Sequence, residues 1–84
     1  MTHDEVLAVV RDAVVTVMEV APGSVTRDTC LVSGLKCDSL ALVEIAEIVE
    51  ERLPGLTIDD ADLDDIDTVG EAVDYVLARL RVRA

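Results

Sequence analysis

The run Asp38-Ser39-Leu40-Ala41-Leu42-Val43-Glu44-Ile45-Ala46-Glu47-Ile48-Val49-Glu50-Glu51-Arg52-Leu53 decides the fold. Leu42, Ile45, Ala46, Val49 and Leu53 recur at spacings of three and four, which puts them on one buried face of a helix. Glu44, Glu47, Glu50 and Glu51 fall outside that stripe. Asp38 suits the cap position, where a carboxylate accepts from first-turn amides, so the helix is expected to start at Ser39. Pro54-Gly55 stops it.

The same period appears on both sides of this run. Val6, Val10, Ala13, Val14 and Val17 predict a helix from about His3 to Val20, with Thr2 and Glu5 at capping-box spacing and Pro22-Gly23 as the stop. Val69, Ala72, Val73, Val76 and Leu80 predict another from about Val69 to Leu80, opened by a Thr68/Glu71 capping box. Arg79, Arg81 and Arg83 would then complement the negative end of its dipole. Asp60 to Asp65 is expected to form a short helix. Pro22 to Asp38 reads as a long loop with Leu31, Val32 and Leu35 as apolar pegs. No strand alternation or internal repeat stands out. The expected fold is all-α: a single domain over residues 1–84, an antiparallel four-helix bundle of three longer helices and one short one.

Composition narrows the function. The 84 residues carry 18 Asp plus Glu against 7 Lys plus Arg, a formal net charge of -11. Phosphate recognition needs a basic face, so a nucleic-acid binder is excluded, and docking on anionic membranes is disfavoured. A basic protein surface is the natural complement. With 51% hydrophobic residues the chain is not compositionally disordered, and with Tyr75 as its one aromatic the core must be aliphatic. A chain this short buries roughly 60% of its unfolded surface, so marginal stability is expected. The apolar stretch Ala13 to Ala21 is too short to span a bilayer, and Met1 to Glu5 is acidic where a secretory leader is basic. A cytoplasmic monomer with reduced cysteines is expected, since Cys30 and Cys37 alone make neither a zinc site nor a disulfide framework.

Ser39 is the residue with chemistry to offer. A hydroxyl in the first turn lies near exposed backbone amides, and a phosphate ester there would sit at the positive end of the helix. Serine is also simply common in first turns. Hydrolytic catalysis has no support, because His3, the one histidine, lies at the terminus.

Asp38-Ser39-Leu40 followed by Val43-Glu44-Ile45 resembles the modification motif of acyl carrier proteins. Leu31-Val32-Ser33-Gly34-Leu35 is similar to the loop leading into that motif. Thr68-Val69 and Ala72-Val73-Asp74-Tyr75-Val76 are similar to the family's last helix. The resemblance covers almost the whole chain. It implies that a phosphopantetheinyl transferase attaches 4'-phosphopantetheine to Ser39, and that the arm's thiol carries acyl groups as thioesters while the protein itself catalyses nothing. It implies docking through Asp38, Leu40, Glu44, Glu47, Glu50 and Glu51 on basic patches of the transferase and of acyltransferase or ketosynthase-type enzymes. It also implies an acyl pocket lined by Leu42, Ala46, Val49, Ile58, Leu63, Ile66 and Ala72, residues that periodicity alone would read as core.

Three departures stand out: Lys36 where the family often has glycine, Cys37 directly before the motif aspartate, and Ala41 where an acidic residue is frequent. They point to a carrier dedicated to polyketide or other specialised biosynthesis. Fatty-acid synthesis and aminoacyl or peptidyl cargo are the alternatives within the class. Outside it stand an acidic adaptor without a prosthetic group and a calcium-binding module. Asp60, Asp62, Asp64 and Glu71 fit positions of a calcium loop, but Asp65 stands where the turn needs glycine and Asp67 where an apolar residue is usual. No dedicated metal site is expected.

Overall fold

A computed structural model describes the backbone of residues 2–83 and the side chains of residues 2–80. It contains three long helices: α1 (His3–Met18), α2 (Ser39–Arg52) and α3 (Val69–Arg83). Two 3-10 segments, Pro22–Ser24 and Asp60–Asp65, punctuate the connections. Among the described residues the extended structure amounts to one isolated bridge, Cys30 with Thr68.

α1 is the wall on which the other two helices pack. Val6, Val10, Ala13 and Val14 are buried as expected, and Val9 joins them, whereas Val17 is half-buried. Ile45, Ala46, Val49 and Leu53 from α2, with Val69, Val73 and Val76 from α3, complete the aliphatic interior, and Leu42, Ala72 and Leu80 lie half-buried at its edge. Each fully buried valine contributes about 1.5–3 kcal/mol relative to exposure.

Side-chain caps set where the helices begin. Thr2 and Glu5 close a reciprocal box on α1. Glu71 N–H donates to Thr68 Oγ1 at 3.1 Å while Thr68 N–H donates to the Glu71 carboxylate at 3.0 Å, closing the same box on α3. Helix ends depart more from expectation. α1 stops at Met18, because Glu19 adopts the left-handed conformation, φ 54°, with its amide on the Val15 carbonyl. Pro22 comes too late to be the stop. α3 runs on to Arg83. Arg79 donates to the Thr57 carbonyl at 3.1 Å, while the Arg81 and Arg83 side chains lie outside the described residues. The short helix at Asp60–Asp65 is 3-10 rather than α, capped by Asp59 on the Ala61 amide.

The long loop is folded down by hydrogen bonds to the start of α3. Leu31 N–H donates to the Asp67 carbonyl, Val69 N–H to Thr29, and Gly70 N–H to Arg27, so loop carbonyls satisfy two amides that a helix start leaves without partners. Arg27 also pairs with Asp74 at 3.3 Å and hydrogen-bonds the His3 ring. The expected pegs are partly reassigned. Leu31 is buried and Leu35 half-buried, but Val32 is 47% exposed, and Val25 and Cys37 take its place in the core.

The turn after Leu31 depends on Gly34. Gly34 and Leu35 both donate to the Cys30 carbonyl, and a β-carbon on residue 34 would lie 2.6 Å from that oxygen. Gly34→Ala should therefore lose about 1–3 kcal/mol in urea unfolding; unchanged stability would show that the turn opens freely. For Glu71, hydrogen bonds from the Thr68 and Asp67 amides hold the carboxyl below its ordinary 4.5. Its contribution is thus full above that value and is lost as pH falls through the lowered one. The stability gap between the wild type and Glu71→Ala should accordingly be wide at pH 7 and close in acid, read by thermal unfolding across pH. A pH-independent gap would contradict the charged cap.

Candidate functional site

Asp38 sits in extended backbone, and its Oδ1 accepts the Ala41 amide at 2.8 Å. The Leu42 amide goes to the Asp38 carbonyl. That leaves the Ser39 and Leu40 amides at the helix start without an intrahelical acceptor. Ser39 is the first residue of α2 and is exposed; among the described residues no hydrogen bond engages its hydroxyl. An anionic ester on this oxygen would meet free amides and the positive end of a 14-residue helix, so the residues present fit a phosphodiester.

The approach to Ser39 carries two unusual residues. Lys36 holds φ 62°, a left-handed conformation that costs a non-glycine residue about 1–2 kcal/mol. Glycine would be free of that cost. Cys37 is buried, its amide on the Leu31 carbonyl, and burial followed by the neighbouring Asp38 charge pushes its thiol up. Cys37 is therefore a protonated core residue beside the serine rather than a nucleophile.

Around the serine, Lys36, Asp38 and Leu40 are exposed. Leu40 is 66% exposed. Farther along α2, Glu44, Glu47 and Glu51 are exposed, while Glu50 is half-buried and accepts the Ile58 amide at 3.1 Å. Glu50 thus ties the connection after α2 to the helix. Sequence reasoning had no signal for this contact, because its partner is a backbone amide eight residues on.

The seven residues assigned to an acyl pocket lie along the interior: Ala46, Val49, Ile58 and Ile66 are buried, and Leu42, Leu63 and Ala72 half-buried. An open cleft of about 470 Å³ lies to one side, lined by Asp62, Asp65, Ile66, Glu71, Asp74 and Tyr75. It shares only Ile66 with the seven. Tyr75 fastens its rim: the hydroxyl donates to Asp62 at 2.6 Å and accepts the Asp59 amide at 3.3 Å. Burial, then the bond to Asp62, pushes that hydroxyl up. These contacts also bear on the calcium register, for Asp62 is engaged by Tyr75 and Glu71 by its capping box.

The profile of the family described as "Phosphopantetheine attachment site" matches residues 8–76. The chain belongs to the acyl carrier protein family. Its residues align at 34% identity over 82 positions with the acyl carrier protein of Petrotoga mobilis, covering 98% of this chain and 95% of that protein. The acyl carrier protein of Thermotoga maritima is 33% identical over 79 residues, 94% of this chain and 96% of its own length. The meromycolate extension acyl carrier protein of Mycobacterium leprae is 34% identical over 76 residues, 90% of this chain; the chain spans 65% of that relative's length. With the family comes a covalent 4'-phosphopantetheine group. No helix among the described residues is long and apolar enough to cross a membrane.

Burial separates the two thiols. At neutral pH iodoacetamide should label the half-buried Cys30 of the folded protein and leave Cys37 untouched until denaturant is added, read by peptide mass mapping. Equal labelling of both would contradict the core position of Cys37.

Proposed function

We propose that this acyl carrier protein holds acyl intermediates as thioesters on a 4'-phosphopantetheine arm attached to Ser39. The observation that carries the reading is the exposed hydroxyl at the first position of a helix whose cap, Asp38, leaves the two outermost amides free. A phosphopantetheinyl transferase supplies the arm from coenzyme A. The arm contributes the thiol; the chain presents that thiol to successive enzymes at high local concentration.

Asp38, Leu40, Glu44, Glu47 and Glu51 form the docking face toward basic patches on the transferase and on acyltransferase or ketosynthase-type enzymes. Exposed rim charges of this kind govern on-rate more than affinity, which suits a carrier that must release its partner. Glu50, bound to the Ile58 amide, supports this face from below. The interior residues Leu42, Ala46, Val49, Ile58, Leu63, Ile66 and Ala72 shelter the cargo when they part. Lys36 and Ala41 reduce the negative charge beside the serine, which favours a dedicated pathway, polyketide or similar, over general fatty-acid synthesis. The protein works as a cytoplasmic monomer.

Intact mass after incubation with coenzyme A, magnesium and a broad-specificity transferase should rise by one phosphopantetheine in the wild type and stay constant in a folded Ser39→Ala. A gain in both would move the site elsewhere. Glu44→Lys with Glu51→Lys should slow the gain about tenfold at low salt, with the difference fading as salt is added. Unchanged rates would remove the docking face.

A further inference from the structure

Lys36 is the single lysine of the chain, and it stands three residues before Ser39, exposed and in left-handed backbone. Among the described residues its ammonium has no ion-pair partner, in a chain of net charge -11 where Arg27 is held by Asp74 at 3.3 Å and Arg52 by Asp12 at 3.7 Å. Asp38, the charged residue between Lys36 and the helix, already commits Oδ1 to the Ala41 amide. Three peptide units separate Lys36 from Ser39, at most about 11 Å between α-carbons. A long lysine and a phosphoseryl ester close such a gap from both sides.

We propose that Lys36 is a positioning residue for the phosphodiester on Ser39: its ammonium pairs with the phosphate oxygens and restrains the first bonds of the arm against the start of α2. The inference rests on the attachment of the arm to Ser39. A free amide pair at the helix start favours the anion from one side, and Lys36 adds a mobile cation from the loop. Lysine suits the task better than arginine's rigid fork would, because a compact charge on a flexible stem follows a group that swings. The pair is solvent-exposed, so it is weak and sensitive to salt. A weak restraint biases the arm without trapping it.

The single lysine makes the test direct. With 13C at the lysine ε-carbon the protein gives one side-chain resonance, titrated in the apo form and in the form carrying the arm. Asp38 is present in both and cancels from the comparison. At low ionic strength the arm should raise the Lys36 titration midpoint by about half a pH unit, an increase that shrinks as salt is added. In Lys36→Gln, and in Lys36→Gly where the left-handed backbone is relaxed, 31P relaxation of the phosphodiester should report faster local motion than in the wild type. An unchanged midpoint, or unchanged 31P relaxation in both variants, would overturn the positioning role. Intact mass is read first: a wild-type chain that never gains the arm overturns the carrier reading, and this inference with it.

Discussion

The valine face of α1 is the constraint on which the rest of the molecule depends. Val6, Val10 and Val14 are essentially sealed from solvent, and both α2 and α3 pack against that same helix. The chain's one aromatic, Tyr75, is half-buried at the edge of the interior and leaves its centre aliphatic. Close contact between small β-branched and aliphatic side chains must fill that centre, which leaves little tolerance for voids. The long connection from α1 to α2 is drawn into the same interior by Val25, Leu31 and Cys37, so a segment without regular structure becomes part of the core.

That anchoring explains how a serine at a loop–helix junction is held firmly. The loop is pinned to the start of α3 by backbone hydrogen bonds from Leu31, Val69 and Gly70, and Cys37 is buried immediately before the Asp38 cap. Ser39 therefore projects from a junction fixed on both sides, while its hydroxyl stays exposed. Charge is divided along α2: Glu44, Glu47 and Glu51 are exposed farther along the helix, whereas at the serine end Asp38 is offset by Lys36 and followed by the exposed Leu40.

Interactions between residues three apart were the most legible in the sequence. The Thr2/Glu5 and Thr68/Glu71 boxes and the Asp38 cap each rest on a short stretch of chain, and the start of each long helix follows from them. The apolar stripes of α1, α2 and α3 were legible for the same reason. Glu19 ending α1 was not, because a glutamate in left-handed backbone has no compositional signal. The exchange of Val32 for Cys37 as a core residue depends on bonds from Leu31 to Asp67 and from Cys37 to Leu31, which only the folded chain brings together. The site followed the same division. Ser39 could be singled out from its motif, while the engagement of Glu50 by Ile58 and of Asp62 by Tyr75 required the tertiary structure.

Trypsin cleavage after Lys36 and Arg52 would release Cys37–Arg52, a peptide in which Ser39 is the only hydroxyl-bearing side chain. Tandem mass spectrometry of that digest, taken from protein loaded with the arm, tests the central claim most directly. The phosphopantetheine mass should appear on Cys37–Arg52 and be ejected from that peptide on fragmentation. The same mass on the neighbouring Asp28–Lys36 peptide, which contains Thr29 and Ser33, would contradict it.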